Sequence, residues 1–90
     1  MKQQLPRTFK IGKKQYRVAP DIALPYRVRG RVFPMTGVIQ LSPKHSDDPA
    51  IFWHEVTHAI LYEMGDAWRD EKFVEGFSKR LTQCIKTARF

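Results

Sequence analysis

His54, Glu55 and His58 are the residues in this 90-residue chain whose types and spacing best suit chemistry. They form the run His54-Glu55-Val56-Thr57-His58, two histidines four apart with a glutamate after the first. On an α-helix, positions i and i+4 lie one turn apart on the same face. Both imidazoles can then reach one metal ion, most plausibly Zn2+, from a single rigid element. Glu55 lies to the side of the pair, where it can take a proton from a metal-activated water.

A catalytic zinc usually takes three protein ligands and keeps a position open for water. The third histidine, His45, reads as a surface loop residue ahead of the motif. Downstream, Glu71 and Glu75 share one helical face at i, i+4 and either can return a carboxylate to the metal. An antiparallel pair of helices would bring Glu75 level with His58 and leave Glu71 nearer the connecting loop. Against that, a ligand glutamate is commonly followed one turn later by an acid that hydrogen-bonds a ligand histidine. That pattern makes Glu71 the ligand, with Glu75 as the alternative ligand or the partner of a histidine.

The elements that must position these groups are legible as two halves without a linker. Residues 8–19 alternate around Gly12-Lys13-Lys14 and predict a hairpin with Phe9, Ile11, Tyr16 and Val18 in its strands. Residues 20–25, from one proline to another, interrupt the pattern as a helical turn or a loop. Residues 26–33 alternate again, with Gly30 as a bulge or turn, and residues 37–41 read as a last strand stopped by Ser42-Pro43. Asp47 or Asp48 can cap a helix with Pro49 in its first turn, running to about Met64 and ending near Gly65. Its apolar surface is Ile51, Phe52, Val56, Ala59, Ile60 and Met64. A second helix over about 70–87 carries Phe73, Val74, Phe77, Leu81, Cys84 and Ile85 at helical spacing. The expected fold is α+β, one domain over 1–90. A small antiparallel or mixed sheet, about 8–42, packs on a helical hairpin, about 48–87, that carries the motif.

Composition is consistent with this. Forty-two per cent apolar residues argue for a folded domain, and no stretch has the length and apolarity of a membrane span or a signal peptide. Cys84 is the single cysteine; it excludes an internal disulfide, reads as a buried apolar residue, and makes a reducing, cytoplasmic setting the default. The net charge is +7, and the basic residues concentrate at the two ends, Lys2, Arg7, Lys10, Lys13, Lys14, Arg17, Arg27, Arg29 and Arg31 early and Lys79, Arg80, Lys86 and Arg89 late. It would attract an acidic peptide, an acidic protein or nucleic acid, though no nucleic-acid-binding motif accompanies it.

HExxH with a glutamate on the next helix resembles the gluzincin group of zinc metallopeptidases. A strand ending Gly37-Val38-Ile39-Gln40-Leu41, then HEVTHAILYEMG and DEKFVEGFSKRL, resembles small phage and bacterial proteins of the ImmA/IrrE-like and minigluzincin type. The similarity covers roughly residues 8–85, with the HExxH segment the diagnostic part. It implies a zincin-like hydrolase fold, zinc on His54 and His58, Glu55 as general base, and Glu71 or Glu75 as the downstream ligand. It also implies a strand at 38–41 bordering a cleft where a peptide adds by main-chain hydrogen bonds. Tyr62, Tyr26, Arg29 and Arg31 are candidates for stabilising an oxyanion, although none has a spacing argument and Tyr62 is better suited to packing in the helical hairpin. The function this implies is zinc-dependent hydrolysis of a peptide or protein substrate, and the basic surface would suit an acidic one. The alternative is a catalytically idle, zinc-stabilised interaction module that binds an acidic protein or nucleic acid through its basic surface.

Overall fold

A computed structural model describes residues 5–19, 24–25 and 27–90. Most of the interruption expected at 20–25, together with Tyr26 and Lys2, lies outside these residues. Four strands, β1 (Thr8–Ile11), β2 (Lys14–Ala19), β3 (Gly30–Phe33) and β4 (Val38–Leu41), precede helices α1 (Pro49–Glu63) and α2 (Glu71–Thr87). A short 3-10 turn, Pro43–His45, leads into α1. The architecture is α+β with a mixed sheet in the order β1-β2-β4-β3.

Local chemistry accounts for each boundary. β1 and β2 pair antiparallel around the turn at Gly12 and Lys13, with Ile11 opposite Lys14. The strand expected from residue 26 begins at Gly30, because Arg27 adopts a left-handed backbone (φ 72) and Val28 N–H turns back to Pro25 C=O. β4 then returns antiparallel to β3 and inserts beside β2 in parallel. Gly37 makes that insertion possible: at φ 71 a side chain is strained, and a Cβ would stand 2.8 Å from the Gln15 carbonyl. Its own carbonyl accepts from Arg17 N–H at 2.9 Å.

Asp48 caps α1 by accepting from Ala50 N–H at 3.0 Å, with Pro49 following as the first helical residue. At the other end Asp66 N–H bonds Leu61 C=O and Gly65 N–H bonds Tyr62 C=O, a paired 6→1 and 5→2 closure. Asp70 caps α2 by accepting from Phe73 N–H at 3.1 Å. The helices cover one face of the sheet, where Tyr16, Ile39, Leu41, Phe52, Val56 and Ala59 form the core. α1 lies on β3 and β4, and α2 packs on α1.

The face that α2 buries differs from the one its apolar residues suggest. Val74, Ser78 and Thr82 are buried, whereas Phe73 and Phe77 stack on each other half-exposed and Cys84 is exposed. Ser78 and Thr82 are small enough for close helix contact, and the Thr82 hydroxyl donates to Ser78 C=O at 2.7 Å. That rotation turns the glutamates of α2 toward the motif histidines and leaves the phenylalanines outside. Met64, expected on the apolar face of α1, is likewise exposed because it already belongs to the helix end. Among the described residues no helix is long and apolar enough to cross a membrane.

Candidate metal centre

α1 places His54 and His58 one turn apart with their rings 5.0 Å between centroids. The connection from Met64 to Asp70 is short, so α2 starts beside His58 and runs back along α1. Glu71, its first residue, reaches both rings: its Oε1 lies 2.9 Å from His58 Nε2 and its Oε2 lies 3.2 Å from His54 Nε2. Glu75 comes level with His54, not His58, with Oε2 3.2 Å from His54 Nδ1. The tight connection explains the difference: it delivers the first turn of α2, not the second, to His58. His45 sits apart at the end of the 3-10 turn, 3.9 Å from Asp48.

The two rings are oriented from behind. His58 Nδ1 lies 2.5 Å from the Trp68 carbonyl, to which its N–H donates, and His54 Nδ1 faces the Glu75 carboxylate in the same way. With each Nδ1 engaged by an acceptor, each Nε2 is the nitrogen left to ligate a cation shared with the Glu71 carboxylate. Ligand atoms about 2 Å from one ion stand roughly 3–3.5 Å apart in a tetrahedral shell, comparable to the Glu71–imidazole separations. The three ligand atoms lie within 4.8 Å of one another. His54, His58 and Glu71 can thus hold a metal ion.

Glu55, almost fully buried, lies beside this cluster. Burial pushes its carboxyl above the ordinary range; the neighbouring His54 and His58 pull it down, and Glu71 pushes it up further. The carboxylate borders two hollows that meet along β3. One, of about 220 Å³, is lined by Gly30, Arg31, Val32, His58, Trp68 and Arg69 as well as Glu55 and Glu71. The other, of about 400 Å³, extends past His54 toward Arg27, Arg29 and Glu75. Gly30, Glu55 and Glu71 line both, so the two form one cleft with the candidate ligands at its middle.

The strand that borders this cleft is β3, not the expected residues 38–41. β4 is paired on both sides, with Val38, Ile39 and Leu41 buried, and has no edge to offer. Among the described residues β3 is an edge strand. Ser42 N–H bonds Arg29 C=O at 2.8 Å, which sets the phase of the ladder. Arg31 and Phe33 therefore bond β4, and the main-chain groups of Gly30 and Val32 point to the open side. Gly30 also lets α1 close on β3, since a Cβ there would stand 3.1 Å from Ile51 Cγ2.

Comparison of the chain with family models, curated proteins and solved structures returns no match. What the site can do follows from its own geometry. Among the proposed oxyanion stabilisers, Tyr62 packs edge-on against Trp68 at 5.6 Å under the Lys14 ammonium and lines neither hollow of the cleft. Arg29 and Arg31 line opposite halves of the cleft, and Arg31 already donates to Gln40. Sequence reasoning missed Trp68 and Arg69. Trp68 acts through a main-chain carbonyl, which leaves no residue signature. Arg69, with its guanidinium 4.8 Å over the Trp68 ring, lies in a connection without periodicity.

Proposed function

We propose that the chain is a small zinc-dependent metallopeptidase of zincin-like type, with His54, His58 and Glu71 as metal ligands and Glu55 as general base. The observation that carries this is the convergence of two Nε2 atoms and one carboxylate beside a buried, otherwise unexplained glutamate. A purely structural metal site has no use for Glu55 in that position. The resemblance of HExxH and the downstream glutamate to gluzincins points the same way.

Zinc bound there would supply a Lewis acid that polarises a carbonyl and makes water acidic enough to attack near neutral pH. Glu55 takes the proton of the attacking water and returns it to the leaving amine, so no proton need come from solvent. Glu75 and the Trp68 carbonyl hold the rings so that Nε2 of each faces the cleft. The open edge of β3 aligns an extended peptide through Gly30 and Val32, placing its backbone across Glu55. Glu71 is largely exposed, which leaves the site accessible from the cleft.

Metal content of untagged protein purified without chelator tests the site, with His54→Ala alongside. About one zinc per chain, lost in the variant, is the expected result. Hydrolysis of a mixed peptide library by the zinc-loaded protein, abolished in Glu55→Gln while zinc is retained, tests the chemistry. A chain that neither contains nor takes up zinc would end the peptidase reading.

A further inference from the structure

The charge of this chain is segregated. Residues 1–46 hold ten lysines and arginines and one acid, Asp21, whereas residues 47–90 hold six basic and eight acidic side chains. The whole excess of +7 therefore belongs to the half that builds the sheet.

Strand alternation sends much of that charge to one surface. The helices cover the sheet face bearing Phe9, Tyr16, Val18, Val32, Ile39 and Leu41. Side chains one residue out of phase, among them Lys10, Arg17 and Arg31, project from the opposite face. All three are exposed. The register sets Arg17, Val38 and Phe33 in a row across three strands, with Gln40 beside Arg31 in the adjacent row. The Arg31 guanidinium lies 5.0 Å over the half-exposed Phe33 ring and donates to Gln40 Oε1 at 2.9 Å. No strand residue on this face is an acid. Among the described residues no carboxylate lies within ion-pair distance of Lys10, Arg17 or Arg31.

We propose that this face of the sheet, which no helix among the described residues covers, binds single-stranded nucleic acid. Lys10, Arg17 and Arg31 meet phosphates, and their counterion release drives association. The Arg31–Phe33 pair offers a flat cationic platform on which an unpaired base stacks, and the Gln15 and Gln40 amides can reach base edges. An acidic protein is the poorer fit: protein interfaces have an apolar, aromatic-rich centre, and this face offers a single partly exposed ring. The metal cleft is on the helix-covered side, and Arg31, on the edge strand, borders it as well, so the two surfaces adjoin along β3.

Fluorescence anisotropy with labelled single strands of roughly 20 nucleotides, DNA and RNA, at about 50 and about 200 mM salt tests this. The full chain binds at the lower salt and weakens steeply at the higher. Arg17→Gln with Arg31→Gln lowers affinity at least about tenfold and reduces the salt slope by roughly one to two. Arg17→Lys with Arg31→Lys keeps most of the binding, Phe33→Ala loses several-fold, and Lys79→Gln with Lys86→Gln on α2 binds like the unmodified chain. Matched thermal melts show that the variants fold. No binding at the lower salt, an unaffected Arg17/Arg31 double variant, or an equal loss in the α2 variant would overturn the proposal. So would tighter binding of a duplex, or displacement of the strand by polyglutamate at equal charge concentration, which would assign the face to an acidic protein.

Discussion

The Glu75 carboxylate contacts His54 through Nδ1, at 3.2 Å, on the side of the ring away from Glu71. One nitrogen of His54 thus faces Glu71 and the other Glu75, and the proposed site gives the two glutamates of α2 different tasks. Glu71→Gln should remove a ligand and abolish stoichiometric zinc binding at micromolar metal. Glu75→Gln should leave the stoichiometry intact and weaken affinity by about 10–100-fold, the usual effect of losing the group that orients a ligand histidine. Competition against a chromophoric chelator measures both. The reverse ranking would exchange the two roles.

Metal binding should also report on the fold, because the ligands come from both helices. Phe52 is fully buried, and on α1 it precedes His54 by two residues. Phe52→Ala should cost about 3–5 kcal/mol, a large part of the roughly 5–15 kcal/mol typical of a domain. Denaturant titration should find that variant partly unfolded. Zinc at about 100 times its dissociation constant should restore roughly 2.7 kcal/mol. The same zinc should leave the midpoint of His54→Ala unchanged.

What could be read from the sequence was what depends on periodicity and spacing. The alternation at Phe9–Ile11 and Tyr16–Val18, the Asp48-Pro49 start of α1 and the Gly65 stop all reflect local rules, and the boundaries fall within a residue or two of them. Strand order was not legible: β4 lies between β2 and β3 because Gly37 permits a backbone approach that no pattern announces. The cleft therefore acquired β3 as its border, where the sequence suggested the strand before the motif. The rotation of α2 was hidden for a similar reason. Its phenylalanines are more apolar than Ser78 and Thr82, yet the small residues are the ones that admit α1. In the site, His54, Glu55 and His58 were evident from spacing on one helix. The relation of Glu71 and Glu75 to them depended on the length and course of the connection.

Stability should depend on pH through two groups that do not line the cleft, Tyr16 and Glu63. The buried Tyr16 phenol donates to Glu63 Oε2 at 2.6 Å, and Lys14 Nζ lies 3.1 Å from the same oxygen, joining the hairpin to the end of α1. The Tyr16 hydrogen bond and the Lys14 ammonium hold the Glu63 carboxyl below its usual 4.5, against a smaller effect of burial. A depressed value means that the ionised form stabilises the fold above about pH 4.5, and that this contribution is lost as pH falls further. Burial first, and then Glu63, push the Tyr16 phenol above its usual 10.0, so stability should also fall as pH rises past about 10. Thermal melts across pH should show the gap between the unmodified chain and Glu63→Gln constant near neutrality and narrowing below about 4.5. Tyr16→Phe should remove the Tyr16 contribution to the alkaline decline. An unchanged gap at pH 3 would show that Glu63 has no such role.

The open edge of β3 makes a prediction that separates peptide alignment from metal binding. Val32 N–H points away from β4, so proline at that position removes a donor from the cleft while leaving the β3–β4 ladder intact. Proline at Arg31 would instead break a bond to β4. Val32→Pro should therefore fold, retain zinc, and bind extended peptides about fivefold more weakly, since one main-chain hydrogen bond is worth about 1 kcal/mol. Val32→Ala controls for the lost packing of a side chain that lies against the core, and should bind peptide nearly as well as the unmodified chain. The comparison is made on the Glu55→Gln background with zinc bound, where peptide is not consumed. Equal affinity in the proline and alanine variants would show that peptides do not align along β3.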